Sequence, residues 1–157
     1  MKNEKADALE KALWSVALPG FGQLLNKKYF KALLLFVLEV IINVKSNLNT
    51  VIILSFYGDL SRAIQVTNYQ WLMFYPCLYL FGIWDAYRDG IKEASPFLFL
   101  PFVLSAYTAT VAVIYSRTFR IGNVLLGPIF LPILTIVLSM IIGFIGKSFL
   151  LKMLAKE

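Results

Sequence analysis

The sequence predicts an all-α integral membrane protein: a bundle of four transmembrane helices, with an N-terminal interfacial or re-entrant helix and an amphipathic helix between the first two spans. Three observations predict it. The 157-residue chain is 59% hydrophobic and only 15% charged, where soluble globular domains carry about 25% charged residues. Its mean hydropathy of +0.74 excludes intrinsic disorder, a state defined by low hydrophobicity. Its basic residues sit at the ends of apolar runs rather than in one patch, as juxtamembrane Lys and Arg do. The length suits one membrane domain over residues 1–157.

The first element, residues 6–25, places Glu4, Asp7, Lys11 and Ser15 on one helical face and Leu9, Leu13 and Val16 on the other. Pro19, Gly20 and Gly22 then break an apolar run too short to span, since a crossing needs about 20 mostly apolar residues. A cleavable signal peptide is not expected, because acidic residues sit among the lysines and no small-x-small cleavage site follows the break. Residues 29–45 form the first span, carrying Glu39 and Asn43. In residues 48–66, Ser55, Asp59 and Arg62 share one face and Ile52, Phe56 and Leu60 another, the pattern of an interfacial amphipathic helix. Residues 69–87, 96–116 and 124–146 are apolar runs of spanning length. In the last two, Ser105/Ala109, Ala106/Thr110 and Ser139/Gly143 are small residues four apart, a pattern that lets helix backbones approach. Pro101 and Pro132 are expected to kink their helices, and Cys77 reads as a small buried residue.

Charge fixes the expected orientation. With four spans and the first element on one side, that side holds Lys2, Lys5, Lys11, Lys27, Lys28, Lys31, Arg88, Lys92, Lys147, Lys152 and Lys156. Only Lys45, Arg62, Arg117 and Arg120 lie opposite. A spanning first element would erase the bias. The positive-inside rule therefore predicts a multi-pass protein of the cell membrane with both termini cytoplasmic.

The chain has no histidine and one cysteine, which excludes Ser-His-Asp and Cys-His sites, zinc sites built from its own side chains, and an intrachain disulfide. Asp59 and Asp85 fall on opposite sides of the predicted membrane, so they cannot form a paired-aspartate site. No enzyme, cofactor or metal is expected. Nucleic-acid binding is not expected either, because no binding motif accompanies the net charge of +6.

The segment Ala17-Leu-Pro-Gly-Phe-Gly-Gln-Leu-Leu-Asn-Lys-Lys-Tyr-Phe-Lys31 resembles the P-G-x-G-Q-x-Y-N-x-x-x-x-K-G signature of small bacterial membrane proteins related to the two-transmembrane-helix domain family. Phe81-Gly-Ile-Trp-Asp-Ala-Tyr87 resembles that family's tryptophan-rich helix end closed by an aspartate. The resemblance extends over Ala12 to Tyr87 and implies an architecture rather than an activity, since the family's members are mostly uncharacterised. The chain departs from the pattern at Leu25, where the family has an aromatic, and at Ala32, where it has glycine. Lys27-Lys28-Tyr29 stands near the place of an Asp-Arg-Phe triplet in related eukaryotic-type turns, so no switching role attaches to it. Asp85 lies more than 50 residues beyond Lys31, where the family makes a short connection.

The candidate functional residues are Pro19, Gly20, Gly22, Gln23, Glu39, Asn43 and Asp85. Pro19 removes a donor and the two glycines permit positive φ or close approach. Gln23 and Asn26 can pair the backbone groups freed by the break, so the motif reads first as a structural turn and second as a headgroup or peptide contact. Glu39 at mid-span costs about 2.5–3.5 kcal/mol on insertion scales and is a functional candidate by default, with Asn43 one turn on as its expected hydrogen-bond partner. Asp85 is expected to pair with Arg88 at i+3, beside the interfacial aromatics Trp84 and Tyr87. These features predict a non-enzymatic scaffold or accessory subunit acting through helix packing. Its expected partners are the lipid bilayer and a second copy or another membrane protein. The alternative is a small dimeric transporter or channel subunit that uses Glu39 as a proton- or cation-coupling carboxylate.

Overall fold

The computed structural model describes residues 2–155; Lys156 and the side chain of Lys2, both counted in the charge split above, lie outside the described part. The fold is all-α apart from one short β-hairpin.

The chain opens with a helical hairpin. Helix α1 (Lys2–Ala17) ends where Leu18, Pro19 and Gly20 turn the backbone, and α2 (Phe21–Leu25) follows. Gly20 takes φ 106, a left-handed conformation that glycine adopts without steric cost. Helix α3 (Tyr29–Ser46) then leads into the bundle, and α7 (Tyr75–Asp89) packs against both arms of the hairpin. Near the start of α1, Ala8 lies against Gly90, where a Cβ would come within 2.9 Å of the Ala8 Cα. Near its end, the Tyr79 hydroxyl donates to the Val16 carbonyl. Helix α1 therefore runs antiparallel to α7 from Gly90 to Tyr79, about 16 Å at 1.5 Å per residue. The hairpin thus lies along the bundle, with Pro19 and Gly20 at its turn buried.

The inward face of α1 differs from expectation. Ala8, Ala12 and Ser15 are buried, whereas Leu9, Leu13, Trp14 and Val16 are exposed. Small residues at i, i+4 and i+7 let α1 approach α7 closely, and only the small or polar side of the helix fits there. Lys92 binds Glu4 at 3.1 Å, which ties the start of α1 to the segment after α7. The hydrogen bond and charge of that ammonium hold the Glu4 carboxyl below its ordinary range.

Residues 48–66 form two helices, α4 (Leu48–Phe56) and α5 (Leu60–Val66), not one amphipathic helix. Gly58 takes φ 82, and the Asp59 carboxylate accepts from the Arg62 amide at 3.1 Å as the N-cap of α5. Asp59 is thus a helix start, and Ser55 turns inward, its hydroxyl bonded to the Val51 carbonyl at 2.7 Å. Residues 69–87 are likewise divided, into α6 (Tyr69–Leu72) and α7, with Pro76 in the first turn of α7, a position that needs no intrahelical N–H donor.

The run 96–116 yields α8 (Leu100–Tyr115). Pro101 stands in its first turn and so starts the helix rather than kinking it. The run 124–146 yields β2 (Val124–Leu125), paired antiparallel with β1 (Arg120–Ile121), and then α9 (Gly127–Leu154), with Pro132 inside that helix. Helices α8 and α9 pack along their length. The Ser139 hydroxyl lies 3.1 Å from that of Ser105 and 2.9 Å from that of Thr108. A Cβ on Gly143 would fall 2.4 Å from the Pro101 Cα. Of the small residues expected to allow close packing, Ser105, Ser139 and Gly143 are at this contact, whereas Ala106 and Thr110 face α7.

By length and composition, among the described residues only α9 is a helix long and apolar enough to cross a membrane, not the four predicted. Helix α3 has the length but carries Lys31, Glu39 and Lys45. Helix α8 is apolar but has 16 residues, and α7 has 15. Hydropathy ran the predicted spans through turns that the backbone makes at Phe74, Ser95 to Phe99 and Leu126.

Polar side chains are buried beside the apolar core, and many large apolar side chains are exposed. Gln23, Ser15, Ser46, Ser55, Ser105 and Ser116 are among the fully buried side chains, whereas Phe30, Leu33, Ile142, Ile145 and Phe149 are exposed. The main apolar cluster, Leu48, Val51, Ala63, Leu72, Val113 and Ile129, joins α4, α5, α6, α8 and α9.

Candidate functional site

The sequence's separate motifs converge where the hairpin meets α7. Pro19, Gly20, Gly22 and Gln23 are all buried, and the Gln23 side chain has no exposure at all (0%). Such an amide needs partners, because an unpaired buried polar group costs about 1–3 kcal/mol. It has three: Nε2 donates to the Gly82 carbonyl at 2.8 Å and to Asp85 Oδ2 at 3.1 Å, and Oε1 accepts from the Ser15 hydroxyl at 3.4 Å. The same hydroxyl accepts from the Gly22 amide at 3.1 Å. Asn26 Nδ2 donates to the Ala86 carbonyl at 2.8 Å.

Glycine is required at position 22 by space. A Cβ there would lie 2.3 Å from the Lys11 carbonyl oxygen and the Ser15 hydroxyl, and 2.5 Å from the Ala86 Cβ. At Gly22, α1, α2 and α7 meet. A Cβ on Gly20 would meet the Ala32 carbonyl oxygen at 2.7 Å, so this glycine is needed for both φ and close approach. Pro19 packs against Gly82.

Asp85 does not pair with Arg88. Its Oδ1 accepts from Lys31 Nζ at 2.6 Å, and Lys31 also binds Asp89 at 2.9 Å. The Arg88 guanidinium instead lies over the Trp84 ring, 5.2 Å from its centroid. Helical geometry explains the exchange: Asp85 and Asp89 are one turn apart and face α3, so Lys31 can bridge both. Arg88 points to another side of α7.

Glu39 lies apart from this network, further along α3, 6% exposed. Its polar neighbours are the Tyr75 hydroxyl and the Asn43 side chain, and its Oε2 is buried without a hydrogen-bond partner among the described residues. The Asn43 amide also donates to Asn49 Oδ1 at 3.2 Å, so the expected Glu39–Asn43 pairing is shared with the start of α4. Tyr75 and Tyr79 stack with ring centroids 5.6 Å apart and line an apolar cavity of about 280 Å³ that reaches Val16, Leu72 and Pro132.

Of the candidates, then, Pro19, Gly20, Gly22, Gln23 and Asp85 form one structural unit, and Glu39 with Asn43 forms another. Sequence reasoning missed Ser15, Lys31, Gly82, Tyr75 and Tyr79. Ser15 had a signal, since it continues the Ala8–Ala12 face. Lys31 had none beyond its role as a boundary charge. No group of three or more Cys, Asp or Glu side chains positioned to hold a metal occurs among the described residues.

No protein-family model, curated protein or solved structure matches this chain.

Proposed function

We propose that this chain is a multi-pass membrane protein that acts without enzymatic chemistry, as a scaffold or accessory subunit whose outer helix faces meet lipid and partner proteins. The observation that carries the reading is the exterior: many large apolar side chains are exposed, while an amide, several hydroxyls and two carboxylates are buried. A soluble monomer rarely exposes apolar patches larger than a few hundred Å², whereas lipid demands internal pairing of polar groups and accepts an apolar exterior. Helix α9 supports the same reading, because only 28% of its most apolar stretch is buried. A soluble core helix would be mostly covered.

In this reading α3, α6 with α7, α8 and α9 cross the bilayer. At 1.5 Å per residue α3 is about 27 Å long, close to the roughly 30 Å hydrocarbon thickness. The hairpin α1–α2 re-enters from the cytoplasmic side, with its irregular backbone enclosed by α3 and α7, as lipid requires. Lys31, Arg88, Lys92 and Lys147 fall at the end of the bundle assigned to the cytoplasm. The likeness to the two-transmembrane-helix domain family belongs to this proposal. Its support is that the polar residues of the two resembling motifs, Gln23 and Asp85, meet at 3.1 Å.

The test is cysteine labelling in intact cells and in inverted vesicles, with Cys77 first replaced by alanine. Cysteines at Lys5 and Lys152 react only from the cytoplasmic face and those at Asn49 and Arg120 only from outside. Reaction of Lys5 and Lys152 positions from opposite faces refutes the topology. Gentle detergent extraction should retain a homo-oligomer or partner, and a monomer in several detergents refutes the scaffold role. A second reading, the dimeric transporter or channel subunit, is favoured by one observation, the unpartnered buried oxygen of Glu39. Its test is Glu39→Gln in proteoliposomes, where unchanged or absent proton or cation flux ends it.

A further inference from the structure

Between α7 and α8 an apolar groove of about 420 Å³ opens on the outer surface, within the 300–1,000 Å³ range of ligand sites. On α7 it is lined by Cys77, Phe81 and Trp84, and on α8 by Phe102, Val103 and Ala106 among others. From Cys77 to Arg88 the groove and its rim extend about 16 Å along the helix axis. Its lining is apolar apart from Thr110 and the Tyr107 hydroxyl, which suits a hydrocarbon chain.

One end is charged. The Arg88 guanidinium sits over Trp84, 5.2 Å from the ring centroid. It has no acidic partner among the described residues, because the nearby Asp85 and Asp89 are both bound by Lys31 on another side of α7. Trp84 adds a second unmet need. Its indole N–H is shut from water with no acceptor among the described residues, although buried tryptophan N–H groups usually find one. The rest of the indole is partly exposed and lines the groove.

We propose that this groove binds an anionic glycerophospholipid, one acyl chain along Phe81, Phe102, Val103 and Ala106 and the phosphate at the Arg88 guanidinium. The inference rests on the membrane reading above. Charge complementarity selects the lipid class: an unneutralised guanidinium favours a headgroup with no compensating ammonium. It stands at the end of the bundle assigned to the cytoplasmic leaflet, where anionic lipids concentrate.

Tryptophan quenching tests it. The full chain, carrying Trp14→Phe and Trp71→Phe so that Trp84 alone emits, is reconstituted in dioleoylphosphatidylcholine vesicles. Increments of chain-brominated phosphatidylglycerol or chain-brominated phosphatidylcholine are then added. A basic residue near the surface contributes enough for an anionic preference of about fivefold. The glycerol lipid should therefore quench at about one fifth of the mole fraction. Arg88→Gln should abolish the preference. Arg117→Gln, which removes a cation from over Tyr69 at the other end, should leave it intact.

Equal quenching by the two lipids, or a preference that survives Arg88→Gln, overturns the site. A companion chain keeping only the exposed Trp14 separates this failure from that of the membrane reading. If Trp14 is quenched and Trp84 is not, protein fills the groove and only the lipid site falls. If neither is quenched and the chain is released by alkaline washing, both readings fall.

Discussion

Removing Lys31 should cost more stability than removing the aspartate it binds. In the pair at 2.6 Å, the Lys31 side chain is 43% exposed and that of Asp85 only 7%. Lys31→Met leaves a buried carboxylate whose remaining partner is Gln23 Nε2 at 3.1 Å. Stranding one member of a buried pair costs about 3–5 kcal/mol, and water reaching the exposed end lowers this to about 2–3 kcal/mol. Asp85→Asn leaves an ammonium that is half in solvent and still bound to Asp89 at 2.9 Å, so the loss is that of an exposed pair, about 1 kcal/mol. The double variant removes the stranded charge and should be more stable than Lys31→Met alone, with a coupling of about 1–2 kcal/mol. The assay is unfolding free energy in detergent or bicelles, titrated with a denaturing detergent and followed by far-ultraviolet circular dichroism. If Asp85→Asn costs as much as Lys31→Met, or the double variant is the least stable of the three, the pair is not held at a buried carboxylate and the account fails.

Gly22→Ala should destabilise by about 1–3 kcal/mol through overpacking, while Gly82→Ala, whose nearest neighbour would be 3.7 Å away, should change little; equal effects in the same titration would contradict the close approach of α1 to α7. Gly143→Ala should loosen α8 from α9, because its Cβ would meet Pro101 at 2.4 Å, whereas Gly146→Ala meets only a side-chain end at 3.6 Å. Crosslinking between cysteines placed on the two helices reads the difference. Glu39→Gln should be neutral or stabilising, since it removes a buried charge with one unpartnered oxygen; a loss above about 2 kcal/mol would mean that the carboxylate makes a strong pairing not accounted for here.

Several parts of this arrangement were legible in the sequence, and their legibility was local. Pro19 and Gly20 announce a break because ring closure and the absence of a Cβ are properties of the residues themselves. The small-residue spacing in the last two apolar runs announced the α8–α9 contact for a similar reason. The burial of Ser15 and Ser55 was harder to read, because polarity in a helix is ordinarily taken to mark the outward face. Where apolar side chains outnumber polar ones this heavily, the small polar residues go inside: they pack closely and can bond to backbone carbonyls, as Ser55 does to Val51. The lengths of the apolar helices were misjudged for a related reason. Hydropathy does not register Pro76 or Gly127, which restart helices inside continuous apolar sequence, nor Gly58, which divides the 48–66 segment.

The pairing of Lys31 with Asp85 could not be read from spacing, being 54 residues apart, whereas the Asp85–Arg88 alternative was visible and wrong. The difference has a functional consequence. Had Asp85 taken Arg88, the cation would be neutralised within α7 and the α7–α8 groove would have an uncharged rim. Because α3 supplies Lys31 from outside the helix and binds both Asp85 and Asp89, Arg88 is left to another side of α7, over the Trp84 ring. The polar network that locks the hairpin to α7 and the cation that marks the groove are thus two results of one pairing. A Lys31 variant should therefore do more than destabilise. With Lys31 gone, the Asp85 carboxylate at i−3 is free to pair with Arg88, and the hold of Arg88 on an anionic headgroup should weaken even in molecules that remain folded. Anionic-lipid preference measured on folded Lys31→Met by Trp84 quenching should fall toward that of Arg88→Gln. A preference equal to that of the unaltered chain would show that the network and the groove are independent.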